Sequence, residues 1–198
     1  MFKVISCIII SYLLGNISGG MIFGKLLFNK DIRDYGSKNA GTTNALRVFG
    51  LKAGALTFII DVLKSILACF IGMKLLGLNG ILLAGIFVVL GHNWPVFLNF
   101  KGGKGIASSF GFIIFLDYKI AILAIIVFMA VVLLTKYISL GSMLATTSAL
   151  PISYLFFGYR DTNVLLTEDK TKMSSKMKKA ISLNIPILNF EEFSKNKL

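Results

Sequence analysis

A segment of small polar residues near the N-terminus has side chains suited to binding phosphate groups. Residues 36–47 read Gly-Ser-Lys-Asn-Ala-Gly-Thr-Thr-Asn-Ala-Leu-Arg. The glycines let the backbone approach a ligand closely, and Arg47 offers a planar fork that can hold a phosphate through two hydrogen bonds. A helix starting at Thr42 would also direct free backbone N–H groups at an anion. The alternative interpretation is an ordinary capped helix, because Ser, Thr and Asn all favour N-caps.

A second segment, residues 100–105, reads Phe-Lys-Gly-Gly-Lys-Gly. It predicts a flexible cationic loop in which successive backbone N–H groups form an anion-binding nest. The GxxxxGK[ST] spacing of a P-loop is absent, so a nucleotide-binding loop of that kind is not predicted. A basic turn without a ligand is the alternative, but two such segments in one chain favour a phosphate-bearing ligand.

Three ionisable residues lie within or beside apolar stretches. Asp61 and Lys64 are three residues apart on one helix face, and a mutually neutralising structural pair is the favoured interpretation. His92 is the single histidine; it could act as a general base, although an isolated histidine at a membrane boundary is more often a structural hydrogen-bonding group. No Ser-His-Asp order and no His-x₄-Asp box is present, which argues against hydrolase-type and soluble acyltransferase mechanisms. No metal site is predicted either, because one histidine lacks partner ligands.

The elements that must position these segments are predicted to be membrane helices. The chain has 198 residues, of which 56% are hydrophobic, and its mean hydropathy is +0.80. Soluble domains are nearer 45–50% apolar, so lipid is the expected environment. The net charge is +12 with only 15% charged residues, so basic residues must concentrate in loops, where they suit anionic headgroups and phosphorylated substrates. A nucleic-acid partner is not predicted, because no soluble basic face is present.

Six apolar runs are separated by polar turns, and they predict an all-α, polytopic transmembrane bundle. The runs are residues 2–23, 53–76, 80–100, 106–116, 120–135 and 138–157. The fourth is shorter than the roughly 17–25 residues that a spanning helix needs. The loops after runs one, three and five carry nine Lys/Arg residues, against four on the other side. The positive-inside rule therefore places those loops in the cytosol, with both glycine-containing segments, and the N-terminus outside.

The same segments resemble a known family, the bacterial membrane glycerol-3-phosphate acyltransferases that use acyl phosphate as donor. The resemblance rests on Gly36-Ser37-Lys38-Asn39-Ala40-Gly41-Thr42-Thr43-Asn44, on Gly91-His92-Asn93-Trp94-Pro95-Val96-Phe97 and on Phe100-Lys101-Gly102-Gly103-Lys104-Gly105. Tyr137-Ile138-Ser139-Leu140 with Ser142 is also similar. The resemblance covers about residues 1–166, which are predicted to form the membrane acyltransferase domain.

The resemblance implies transfer of a fatty acyl group from acyl phosphate to the 1-hydroxyl of glycerol 3-phosphate, giving lysophosphatidic acid for phospholipid biosynthesis in the bacterial cell (inner) membrane. It implies a seven-span fold, no cofactor, and the acyl-phosphate-forming enzyme and membrane lipids as partners. His92, Lys104 and Ser37 are the catalytic candidates. The candidate phosphate-binding residues are Ser37, Asn39, Thr43, Asn44, Arg47, Lys101, Gly102, Gly103, Lys104 and Ser142. Acyl phosphate has a good leaving group, so cations and N–H groups suffice to stabilise charge; the base is either His92 or the acceptor's own phosphate.

The C-terminal part departs from the family pattern. The family carries a seventh span followed by a His-Arg-x-x-Asn-type motif, whereas residues 167–198 form a polar, Lys-rich tail that faintly resembles the end of a BRCT domain. The tail is therefore predicted to pack little against the bundle. Two alternatives to an active acyltransferase follow: an inactive truncated family member, or a transporter of a phosphorylated solute. No internal repeat of the kind common in transporters is found.

Overall fold

The computed structural model describes residues 1–157, 165–167 and 187–189. These belong to two compact units, Met1–Ala149 and Leu150–Leu198. The helices of the described chain are α1 (Phe2–Gly15), α2 (Gly19–Phe28), α3 (Thr42–Phe49), α4 (Leu51–Asn93), α5 (Ile106–Leu116), α6 (Tyr118–Thr135) and α7 (Ile138–Phe157), with short 3₁₀ turns at Ile32–Asp34 and Val96–Leu98. The fold class is all-α, as predicted.

The first apolar run forms two helices with a break at residues 16–18. Small residues flank the break because neighbouring backbones lie against them. A Cβ on Gly15 would come within 2.3 Å of the Val88 carbonyl oxygen, and one on Gly20 within 2.2 Å of the Ala40 carbonyl oxygen. Glycine at these two positions therefore permits the close approach of the neighbouring backbones. The second helix continues to Phe28, past the predicted end of the run at residue 23.

The long helix α4 is a helical hairpin. Gly77 interrupts it with φ 61° and ψ −140°, a conformation that glycine adopts without a steric penalty. Lys64 and His92 are 28 residues apart, roughly 42 Å along a straight helix at 1.5 Å per residue, yet Lys64 Nζ lies 2.7 Å from His92 Nδ1. The two arms therefore run antiparallel, in agreement with separate second and third runs on either side of Gly77. The third run was predicted to extend to residue 100, but α4 ends at Asn93, because Pro95 cannot continue the helix.

Within the part of the chain that the structure describes, three helical segments are long and apolar enough to cross a membrane, namely Phe2–Phe28, Leu51–Leu98 and Tyr118–Thr135. The second of these contains the hairpin. Helix α5 has the predicted bounds and only 11 residues, about 16 Å against a hydrocarbon core of about 30 Å. Many large apolar side chains face outward, including Leu134 at 85% exposure, as expected where lipid is the solvent.

The second unit contains a pair of three-residue strands, β1 (Leu165–Thr167) and β2 (Ile187–Asn189), which pair in parallel. The sequence analysis did not foresee these strands. The rest of the predicted polar tail lies outside the described residues, as does its predicted lack of packing against the bundle. The division of the chain into residues 1–166 and 167–198 stays a prediction.

Candidate phosphate-binding site

The first polar segment is organised around the buried side chain of Asn44, which is 2% exposed. Its Nδ2 lies 3.2, 3.0 and 2.9 Å from the carbonyl oxygens of Ile32, Tyr35 and Asn39, and its Oδ1 accepts from the Ser37 N–H at 2.8 Å. Both amide hydrogens are thus directed into the loop itself. Asn44 was predicted to bind phosphate, but this geometry makes it the residue that holds the loop's shape.

Helix α3 begins at Thr42 and has no side-chain cap. Gly41 is its N-cap residue, and Asn39 Oδ1 accepts from the Gly41 N–H at 2.9 Å. The alternative interpretation, a helix capped by Ser, Thr or Asn, is therefore wrong for this helix. An uncapped helix start leaves N–H groups and a positive partial charge for an anion. Thr43 lies in the first turn of α3 and is half-buried.

The cationic side chains of the two segments are solvent-exposed. Lys38 has a left-handed backbone with φ 57°, and Arg47 lies in the last turn of α3. Lys101 and Lys104 flank the glycines of the second segment. Ser37 is also exposed, and its N–H donates to Asn44.

The glycines of the second segment are required for close packing against His92, in contrast to the predicted flexible nest. A Cβ on Gly102 would lie 2.0 Å from the His92 carbonyl oxygen, and one on Gly103 would lie 1.9 Å from His92 Nε2. The Gly103 N–H donates to the same His92 carbonyl at 3.0 Å, and the Lys101 N–H donates to the Leu98 carbonyl at 3.2 Å. These two N–H groups serve the loop's own structure.

A cleft of about 540 Å³ lies between the two segments. Residues from the turn after α2, from the first segment and from the second segment contribute to its wall. The lining residues are Asp31, Arg33, Asp34, Lys38, Asn93, Asn99, Phe100, Lys101 and Gly102. Of the predicted site residues, Lys101 and Gly102 line this cleft. Phosphate contacts of Ser37, Asn39, Arg47, Lys104 and Ser142 stay a prediction.

Arg33 joins the two halves of the cleft. Its Nη1 donates to the Leu98 carbonyl at 2.9 Å, while its Nε and Nη2 donate to the Asp31 carboxylate at 3.0 and 2.7 Å. The hydrogen bond from Arg33 lowers the pKa of Asp31, partly offset by burial, and the same bond raises the pKa of Arg33. The Asp31–Arg33 pair is therefore ionised at neutral pH. Lys38 and Lys101 are the other cationic residues that line the cleft. Sequence reasoning counted Arg33 only as a basic residue; the spacing Asp31-x-Arg33 was the available signal.

A buried polar cluster lies beneath the glycine segment. Lys64 Nζ is 3.0 Å from Asp61 Oδ1, and His92 Nδ1 is 3.6 Å from the same carboxylate oxygen. The predicted Asp61–Lys64 pair is confirmed, but the pair is part of a larger arrangement. Lys64 also donates to the carbonyls of Gly15 and Ile17 at the break between α1 and α2. Sequence reasoning missed these contacts because they join distant parts of the chain.

Ser142 occupies the first turns of α7 and is 5% exposed. Its Oγ donates to the carbonyls of Ile138 and Ser139 at 2.9 and 3.1 Å. Such bonds to the preceding turn are common for serine in helices. Its predicted contact with phosphate stays a prediction.

Among residues 1–157, 165–167 and 187–189, no group of three or more His, Cys, Asp or Glu side chains could hold a metal ion. Exposed cationic side chains, an uncapped helix start and a polar cleft, in a chain with helices apolar enough to cross a membrane, are features suited to an anionic, phosphate-bearing ligand.

Comparison with known proteins agrees with these features. The profile of the family described as "Glycerol-3-phosphate acyltransferase" matches residues 5–184. A protein of that name from Finegoldia magna is 52% identical over 141 residues, 71% of each chain, and one from Thermoanaerobacter sp. is 47% identical over 157 residues, 79% of each chain. A crystal structure of PlsY (YgiH), an integral membrane glycerol 3-phosphate acyltransferase in its glycerol 3-phosphate form, is 37% identical, has a TM-score of 0.71, and is matched over 77% of this chain and 76% of that one. The chain belongs to the glycerol-3-phosphate acyltransferase family, as the sequence motifs predicted, and it is an integral membrane acyltransferase.

Proposed function

We propose that the protein transfers a fatty acyl group from acyl phosphate to the 1-hydroxyl of glycerol 3-phosphate. The hydroxyl oxygen attacks the carbonyl carbon of the mixed anhydride, the bond from that carbon to the phosphate oxygen breaks, and inorganic phosphate leaves. The hydroxyl proton passes to a base. The product is lysophosphatidic acid, the first acylated intermediate of phospholipid synthesis.

The cleft between the two polar segments is the observation that carries this proposal. Arg33, Lys38 and Lys101 line it together with Asp31 and Asp34, so cations outnumber carboxylates on its wall by one, and both reactants of the proposed reaction carry a phosphate. Holding two phosphates side by side brings the hydroxyl close to the carbonyl and stabilises the departing phosphate. Two crystal structures of PlsY (YgiH), one in a glycerol 3-phosphate form and one in a lysophosphatidic acid form, are 37% and 36% identical to this chain.

The phosphate contacts are assigned to residues of the two segments and to Ser142 in α7. Lys104 and Arg47 supply charge, and the N–H groups at the start of α3 near Thr43 supply neutral donors. Ser37, Asn39, Ser142 and the glycine segment with Lys101 complete the proposed set. Asn44 acts on the phosphates indirectly, since its amide holds the first segment in shape.

We propose a multi-pass arrangement in the bacterial cell (inner) membrane, with the N-terminus outside and the site at the cytosolic face. The excess of basic residues in the loops after runs one, three and five supports this orientation. Lysophosphatidic acid released on this side enters the cytosolic leaflet directly. Labelling of single cysteines introduced at Lys38 and Lys74 would place these two residues on opposite sides of the membrane; labelling from the same side would contradict the arrangement.

The decisive experiment is acyl-phosphate-dependent formation of lysophosphatidate by the purified full-length chain. Activity is expected with acyl phosphate and not with an acyl thioester in its place. Lys104→Ala should reduce turnover strongly, whereas Lys52→Ala removes an exposed lysine that lies outside both polar segments and should retain it. A chain that forms no product with any donor, although folded, would refute the proposal and favour an inactive family member.

A further inference from the structure

Lys64 forms hydrogen bonds with backbone carbonyls at the break between α1 and α2. Residues 16–18 are not helical, so the carbonyls of Gly15 and Ile17 lose their usual partners along the helix. Lys64 Nζ donates to both carbonyls. An unpaired carbonyl within a bilayer costs several kcal/mol. The side-chain ammonium of Lys64 therefore lies at the break and supplies the missing hydrogen bonds.

The same ammonium determines which ring nitrogen of His92 is a hydrogen-bond acceptor and which is a donor. An ammonium has three hydrogens and no acceptor. Two of its hydrogens go to carbonyls, and its remaining close neighbours are His92 Nδ1 at 2.7 Å and Asp61 Oδ1 at 3.0 Å. Nδ1 must accept from Lys64, while Asp61 neutralises the charge. The imidazole proton is then on Nε2.

Nε2 is directed at the glycine segment. It is the ring atom nearest to a Cβ built on Gly103, at 1.9 Å, compared with 2.7 Å for Cε1. Gly103 follows Gly102, which lines the cleft. An Nε2–H group at this place can donate a hydrogen bond to an oxygen of a ligand held by the segment, and cannot accept a proton from it.

We propose that Lys64, neutralised by Asp61, fixes His92 as an Nε2–H donor toward a phosphate oxygen at the glycine segment. His92 then stabilises phosphate and is not the general base, and Lys64 is a positioning residue. The inference rests on the proposed function for the identity of the ligand. The tautomer of His92 is a property of the ligand-free chain and does not depend on the identity of the ligand.

Nitrogen NMR tests the tautomer without any assay of activity. His92 is the single histidine of the chain, so a full-length protein labelled with ¹⁵N-histidine and purified without a histidine tag gives resonances from this residue alone. A protonated Nε2 and an unprotonated Nδ1 are expected. A protonated Nδ1, a doubly protonated ring or an exchanging mixture would overturn the proposal. In Lys64→Met, the fixed tautomer should give way to exchange between the two forms.

Ligand titration tests the donor role. Glycerol 3-phosphate should shift the Nε2 resonance, and inorganic phosphate should reproduce the shift because the phosphate oxygen is the acceptor. A shift with glycerol 3-phosphate alone would assign the contact to the glycerol hydroxyls, and no shift with either would remove His92 from the site; both outcomes would overturn the donor role. A correct tautomer in a chain without acyl transfer would defeat the proposed function and leave the tautomer inference intact.

Kinetics separate a donor from a base. His92→Gln keeps an N–H donor in reach of the segment but cannot take up a proton at that nitrogen. It should retain kcat within about tenfold of the wild type, with the larger change in KM, whereas loss of a general base costs about 10²–10⁴-fold in rate. His92→Phe, which keeps a ring without a donor, is the matched control and should lose more than His92→Gln. Equal losses of a hundredfold or more in kcat for both variants would overturn the proposal.

Discussion

Adding one methyl group at Gly103 tests whether its packing against His92 sets the geometry of the site. In Gly103→Ala the new Cβ would lie 1.9 Å from His92 Nε2, 2.7 Å from Cε1 and 2.9 Å from Cδ2. Gly103 does not have a positive φ, so the substitution introduces a clash without backbone strain. The imidazole has little freedom to retreat, because His92 is 4% exposed and its Nδ1 contacts Lys64.

The clash defines the size of the effect. Ordinary van der Waals contact begins near 3.4 Å, so the glycine segment must move by about 1.5 Å relative to the ring. A misplacement of about 1 Å can cost about 10²-fold in rate, so kcat/KM for acyl transfer should fall by about a hundredfold. Overpacking of this kind costs about 1–3 kcal/mol of stability, so the protein should still fold.

The assay is lysophosphatidate formation by purified chains, accompanied by thermal unfolding. Gly50→Ala is the control, because Gly50 has φ 84° and no atom lies within 4 Å of a Cβ built there. It should lose stability through backbone strain and retain turnover. In a His92→Ala background, Gly103→Ala should lower kcat/KM much less, because the imidazole ring with which the new methyl group clashes is absent. Normal turnover of Gly103→Ala, or an equal loss in both backgrounds, would refute the argument.

Three further predictions follow from the same site. Asn44→Ala should lower stability by about 2–3 kcal/mol, because buried loop carbonyls lose their donor, and should raise amide exchange in residues 36–41; unchanged exchange would show that other contacts hold the loop. Arg33→Lys should raise KM for glycerol 3-phosphate several-fold with little change in kcat, because lysine cannot bridge Asp31 and the Leu98 carbonyl with a fork; an unchanged KM would remove this bridge from the site. Trimming the chain after residue 166 should leave turnover unchanged, and grafting a family-type seventh span there should raise it, whereas abolition of robust turnover by trimming would show that the tail is needed.

Much of the fold follows from local patterns. Helices α5 and α7 have the bounds that their apolar runs predict, and the reversal at Gly77 falls between two predicted runs. Apolar runs bounded by glycine, proline and charged residues leave the backbone few other choices in lipid. The 3₁₀ turn and loop at residues 96–105 were partly missed, because the hydrophobic pattern continues beyond the residue at which Pro95 stops the helix.

The candidate site was less accessible from the sequence. Residue types alone assigned Asn44 to the ligand and the glycines to flexibility, yet Asn44 holds its own loop and Gly102 and Gly103 pack on His92. A side-chain amide suits a phosphate and a backbone carbonyl equally well, so composition does not distinguish the two roles. The same limit applies to Arg33, whose partner Leu98 is 65 residues away.

The sequence by itself determined the membrane environment, the helical class, the two phosphate-type segments and the family, because these depend on composition and on short motifs. Only the tertiary structure decided that Lys64 joins the break after Gly15 to His92 and the glycine segment. That contact links residues 28 and 49 positions from Lys64, and it forms because a break in one helix and the reversal of another place them together. A sequence pattern records which residues can pair, whereas packing of the helices selects the pairs that form.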